Sequence, residues 1–350
     1  MASVLPILSR YELSSSSPSD HDADGGLPIT FELDDESNSP QLISKTDESA
    51  TTTTNIPRDD TMKEMIVPTH PIPSMQGAFA ESMQEASASS TPSIPRSRLG
   101  TAAARRQLLI DQDISEETHA ARWRQKPGQK YHQLWKLMAQ ISFGIYLLLN
   151  GIAKDEDQVM AILQGHVDEV DEFLESTLDD FDLAQDDIDE RLKFLKLPLE
   201  NIVIFDAMLE DRAFRLQIVN GNERIEHVIQ RTAAAMNDAL KDVQQGLDAC
   251  KGFAIYLAEE LDAAVWRQER PDMEKVFDAM KGNVDGWYKA YVSLQTNGNH
   301  LGVALVQLGS IVAEMDRRAG EVSRKTRVRR RTPILHKGFT NYPSSSVPPL

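Results

Sequence analysis

Eight histidines, one cysteine and a dense run of carboxylates are the groups in this 350-residue chain that could do chemistry. His21, His70 and His336 fall in stretches whose composition predicts disorder. His119, His132, His166, His227 and His300 are scattered over separate segments, without the His-Glu-x-x-His spacing that sets two imidazoles around a metal on one helix face. His166 lies on an apolar seam, where a core histidine is expected. Cys250 sits in the middle of a long helical pattern, where no helix N-terminus is at hand to lower its pKa, so it reads as core packing. A single cysteine excludes an internal disulfide framework and a multi-cysteine zinc site. The chain has neither a phosphate-binding Gly-x4-Gly-Lys-Ser/Thr loop nor a dinucleotide fingerprint. Trp287, Tyr288 and Tyr291 recur at helical spacing and read as core rather than as a stacking platform. These residues assign no catalytic group, no cofactor and no metal ligand, and the expectation is a protein that is not an enzyme.

Charge is the stronger signal. The formal net charge is −17, and Asp155–Glu190 holds 15 acidic residues with no Lys or Arg. The group singled out is Asp168, Glu169, Asp171, Glu172, Glu175, Asp179, Asp180, Asp182, Asp186, Asp187, Asp189 and Glu190. A calcium loop needs a glycine at its tight turn and a non-helical backbone, whereas Phe181, Leu183 and Ile188 interleave here at helical spacing. No two of the carboxylates have a reason to titrate apart, as acid–base catalysis would require. The plain reading is the solvated face of an amphipathic helix. The functional reading is a docking surface for basic protein partners, because an uncompensated stripe projects a field of one sign.

The opposite charge gathers near the other terminus. Residues 317–331 carry eight cations against Glu321 alone. Arg317, Arg318 and Arg324 suit the C-terminus of a helix, whose dipole favours cations. Arg324, Lys325, Arg327, Arg329, Arg330 and Arg331 form the basic tail proper. It fits recognition by importin, or attraction to an anionic membrane surface. Nucleic acid is disfavoured by the acidic body and the lack of interleaved aromatics. A further expectation is intramolecular: the tail docks on Asp168–Glu190, and phosphorylation at Thr332 would weaken the contact.

These groups need helices to position them. From Ile225 to Val265, twelve positions at a mean spacing of about 3.6 are apolar with one exception, the helical period. A second seam runs from Val159 to Leu195, with Asp155 and Gln158 placed as a cap and Pro198 at its end. Shorter helices are expected at about 101–124, 129–152 and 199–219, the last stopped by Asn220–Gly221. A helix opens at Pro271, and Asn297–Gly298–Asn299 should turn the chain into another. The most apolar segment, Leu134–Ala153, is interrupted by Lys136, Gln140 and Asn150, and reads as a buried bundle helix rather than a membrane span.

In residues 1–96, Ser, Thr and Pro number 17, 9 and 10, with three aromatics. Such a stretch cannot bury enough apolar surface to offset the entropy of ordering. The organisation expected is therefore a disordered arm over 1–100, an all-α, elongated antiparallel and coiled-coil-like bundle over 101–325, and a basic, then Pro/Ser-rich, disordered tail over 326–350. Ser17, Ser39 and Thr91 precede prolines in the arm and are candidate phosphorylation sites, as is Thr332. No signal peptide or glycosylation sequon is evident, so an intracellular protein, cytoplasmic or nuclear, is expected. The function expected is a non-enzymatic scaffold or adaptor with protein partners, self-association included. The alternative is a peripheral membrane protein whose basic tail binds anionic lipid.

Overall fold

A computed structural model of the chain describes residues 67–88, 100–113, 123, 125, 128–263 and 265–331, with side chains to 328. All described regular structure is helical: α1 (Gln76–Ala88), α2 (Ala102–Asp111), α3 (Gln133–Leu149), α4 (Glu156–Glu200), α5 (Ile202–Met208), α6 (Arg212–Ala263), α7 (Val265–Glu269) and α8 (Glu274–Arg331). From Thr69 onward the chain belongs to one compact unit. The second unit, Glu12–Pro68, lies almost wholly outside the described residues.

Three long helices form the frame. Asp155 caps α4 by accepting from the Gln158 amide at 3.0 Å. Its buried residues from Leu163 through Val170, Leu174, Phe181, Ala184 and Ile188 to Leu192 follow the predicted seam. Pro198 lacks the N–H that would bond back to Phe194, and α4 ends two residues later at Glu200. Trp287 of α8 bonds Asp171 of α4, and Asn297 bonds Asp182, so these two helices run parallel with an offset of 115–116 residues. Gln295 to Gln244 and Asn222 to Asp316 make α6 antiparallel to α8. Thus α8 lies along both α4 and α6, and the fourth position of the bundle is filled by α3 and then by α2.

α3 is apolar nearly all round, and 11 of its 17 residues are buried. It stops where Gly151 adopts φ +62, a left-handed conformation that glycine takes without strain. Arg270 pins this corner by donating to the Leu148 carbonyl at 3.1 Å and to Glu156 at 3.0 Å. Among the described residues no helix is long and apolar enough to cross a membrane.

Several boundaries differ from those expected. Asn220–Gly221 and Asn297–Gly298–Asn299 do not break the chain; α6 and α8 run straight through them. Polar residues at or beside these places act sideways instead. Asn222 is buried and donates to Asp316 at 2.7 Å, and Asn297 donates to Asp182 at 3.2 Å. A Cβ on Gly298 would stand 2.7 Å from Leu240 Cδ2, so glycine lets α6 and α8 approach closely.

The helix expected over 101–124 is described only as Ala102–Asp111. The arm does not extend to residue 100 as one disordered piece: Pro73–Met75 and α1 are helical, and Met75, Ala78 and Phe79 are buried. His70, expected in disorder, is buried too. At the other end α8 carries on to Arg331, so 326–331 is helix rather than tail.

Candidate functional site

Helix α4 divides the predicted acidic group in two. Asp168, Asp179, Asp182, Asp186, Asp189 and Glu190 are exposed, while Glu169, Asp171, Glu172, Glu175, Asp180 and Asp187 are half-buried. The inner acids have structural work. Trp287 Nε1 donates to Asp171 Oδ1 at 2.7 Å. Arg105 of α2 reaches Asp180 at 2.8 Å and the Ser176 carbonyl at 3.2 Å. Arg106 bridges α4 and α6, donating to Asp187 at 2.6 Å and to Thr232 Oγ1 at 2.8 Å. Burial works to raise the Asp187 carboxyl, but Arg191 and Arg106 outweigh it and hold it below the usual carboxylate range. From the α6 side, His227 and Arg231 bond the Ile110 and Leu109 carbonyls at the C-terminus of α2. Placing a cation there also suits the helix dipole.

The outer acids present a different surface. Asp182 has its carboxyl raised, first by partial burial and then by its like-charged neighbours Asp179 and Asp186. The sequence expectation of a single acidic face is therefore corrected: Asp171, Asp180 and Asp187 are bonded to α8 and α2, while the exposed stripe faces solvent, with Asp182 also accepting from Asn297 of α8.

The basic cluster is carried on helix. Arg317 and Arg318 both bond Glu314, whose carboxyl is held at about 2 by these two bonds. Arg318 also grips Asp206 of α5 at 3.0 Å. Arg324, Lys325 and Arg327 are exposed beyond this point, and the backbone of Arg329, Arg330 and Arg331 continues the helix. The α4–α8 offset puts Glu190 level with about Val306. Arg324 then lies roughly 27 Å farther along the bundle at a rise of about 1.5 Å per residue. With α8 continuous to Arg331, these cations stand away from Asp168–Glu190, and the expected docking on that stretch is not what the structure shows.

Around that end lies a surface the sequence reading did not single out. Leu195, Leu199, Phe205, Leu209, Phe214, Met315, Ala319 and Val322 close the core between α4, α5, α6 and α8. Outside it, Val203 is 83% exposed, Ile204 62%, Phe194 59% and Leu197 52%. Ile202, Met208 and Leu216 are exposed beside them. Phe205 and Leu209 face inward while Val203, Ile204 and Met208 face outward, so α5 is apolar on both sides, its one acid tied to Arg318. The signal was available in the run Ile202–Val203–Ile204–Phe205.

The remaining candidates are structural. Cys250 is buried against the Val284 carbonyl, and burial pushes its thiol up to about 12. Trp287 and Tyr291 are in the core and Tyr288 is exposed. His166 is half-buried, its pKa lowered by burial, and its Nδ1 has no hydrogen-bond partner among the described residues. A cavity of about 140 Å³ opens between α2, α4 and α6, lined by Arg106, Trp123, Phe181, Ala235 and Met236. Among the described residues, no group of three or more His, Cys, Asp or Glu side chains could hold a metal ion. Ser17, Ser39, Thr91, Thr332, His21, His119 and His336 lie outside the described residues. Set against known protein families, curated proteins and solved structures, the chain shows no match.

Proposed function

We propose that this chain is a non-enzymatic adaptor that presents two surfaces of opposite charge at a fixed separation. The supporting observation is the segregation of charge along continuous helices. Along α4 no Lys or Arg occurs from Asp155 to Glu190, and the outer acids there are exposed, while Arg324, Lys325 and Arg327 project from the far end of α8. Neither group can neutralise the other within one chain, so both are available to partners. Asp182 supports the reading at the acidic flank, since a group repelled by Asp179 and Asp186 gains when a cationic partner arrives. The partner class for that flank is a basic protein segment.

The test uses a short polylysine peptide and fluorescence anisotropy with the full chain. Binding should weaken with salt, and the variant Asp182→Asn/Asp186→Asn/Asp189→Asn should bind about fivefold or more weakly. Equal binding by the variant and the parent would reject the acidic flank as a docking surface.

A further inference from the structure

The far end of the bundle carries its own inference, independent of the acidic flank. We propose that the end formed by α5, the C-terminal turns of α4 and the basic end of α8 docks on an anionic membrane surface. In this arrangement the outward face of α5 enters the interfacial layer.

Three observations converge on a membrane. First, α5 is a surface helix with apolar residues on both faces, and an apolar outward face at a surface calls for a cover. Second, the exposed apolar residues alternate with cations on the neighbouring turn of α4: Lys193, Phe194, Lys196 and Leu197 are all exposed. A lysine beside an apolar residue can lay its stem along the acyl boundary and keep its ammonium at the headgroups. Third, α8 delivers Arg324, Lys325 and Arg327 to the same end, because Val322 packs with Phe205 and Leu209 and the helix continues past them. Arg212 adds a further exposed cation. The opposing acids at this end are Glu200, Glu210 and Asp211, since Asp206 is held by Arg318 and Glu321 by Arg317.

A second copy of the chain is the other occupant to weigh. Two such ends meeting face to face would bring both sets of α8 cations together, which charge repulsion opposes. A sheet of anionic headgroups takes both the apolar wedge and the cations at once. The apolar contribution is needed as well, because basic residues alone would bind any polyanion.

The experiment is co-sedimentation of the full chain with vesicles of phosphatidylcholine, alone or mixed with phosphatidylserine. The parent should pellet with the mixed vesicles at low salt and not with phosphatidylcholine alone. Val203→Asp/Ile204→Asp should lose about tenfold or more in vesicle affinity, and Arg324→Glu/Lys325→Glu/Arg327→Glu a comparable amount. All five side chains are exposed, so the melting temperature should stay near that of the parent, as should polylysine binding at the flank. The inference is overturned if the parent ignores phosphatidylserine vesicles at low salt, or if the Val203/Ile204 variant still binds them fully. It is also overturned if that variant turns a dimer into a monomer without changing vesicle binding, because a second copy would then be the occupant.

Discussion

Trp287 Nε1 on α8 donates to Asp171 Oδ1 on α4 at 2.7 Å, which makes one carboxylate of the acidic run an acceptor inside the bundle. Burial raises the Asp171 carboxyl above its ordinary range, against the Trp287 bond and with help from Glu175 and Asp168. A carboxyl raised on folding binds its proton more tightly in the native state, so its ionisation costs stability as pH rises above about 4. Asp171→Asn keeps an acceptor for Trp287 and removes that cost. The variant should melt higher than the parent at pH 7, and the gain should vanish below about pH 4 in thermal unfolding. Trp287→Phe should destabilise by about 2–3 kcal/mol, because it leaves the buried carboxylate without its donor.

Gly246 of α6 leaves room for the Tyr291 ring of α8 to lie against the α6 backbone. A Cβ on Gly246 would stand 2.4 Å from Tyr291 Cζ, and Tyr291 is fully buried. Gly246→Ala should therefore cost about 1–3 kcal/mol, more than the roughly 1 kcal/mol a helix gains from alanine. The Tyr291 hydroxyl is buried without a hydrogen-bond partner among the described residues. Tyr291→Phe should be neutral or stabilising in denaturant titration, and should lessen the cost of Gly246→Ala when the two are combined.

Helix α1 is held to α3 by a buried ammonium. Lys136 Nζ lies 2.9 Å from Glu81 and 2.7 Å from Glu85, with its side chain 2% exposed. Removing both acids leaves that charge without its carboxylates, a loss of about 3–5 kcal/mol if the helix stayed in place. Glu81→Ala/Glu85→Ala should instead release α1, so amide hydrogen exchange over 76–88 should quicken while α6 and α8 stay protected.

His70 makes the same contact sensitive to pH. Its ring spans from the Ile72 amide at 2.9 Å to the Ala139 carbonyl at 3.0 Å, and burial lowers its pKa below the ordinary value. A histidine lowered on folding stabilises the neutral-pH state, and that contribution is lost as pH falls below about 6.5. Protection factors over 69–88, with the intrinsic pH dependence of amide exchange divided out, should be lower at pH 5 than at pH 7.5 in the parent. In His70→Gln the difference should shrink.

The long seams on α4 and α6 were legible because a 3.6-residue apolar period survives whatever packs against it. The α4 seam missed by one position, at His166, where the neighbouring Val167 is the buried residue. What misled was local composition read without neighbours. Asn297–Gly298–Asn299 resembles a turn, but its amide and its missing Cβ serve Asp182 and Leu240, partners that only the bundle brings near. Met75, Ala78, Phe79 and Ser82 already had helical spacing, hidden in a stretch dominated by Ser, Thr and Pro. The division of the acidic run was not legible, because Arg105 and Arg106 meet Asp180 and Asp187 across 75 and 81 residues. The apolar end at α5 was within reach: Ile202–Phe205 leaves no polar face for a helix to show to water.

The central claim is that the basic end of α8 stays apart from the acidic flank of α4. Pulsed electron–electron resonance between spin labels at Asp186→Cys and Arg327→Cys reads that separation directly. Both positions are exposed, and Cys250 is buried with its thiol pushed up to about 12, so it should not take the label. The structure predicts one narrow distance near about 40 Å, from the helical rise and the interaxial spacing, unchanged between low and high salt. A population below about 25 Å at low salt that salt removes would show the tail folded onto the flank, and would contradict the account.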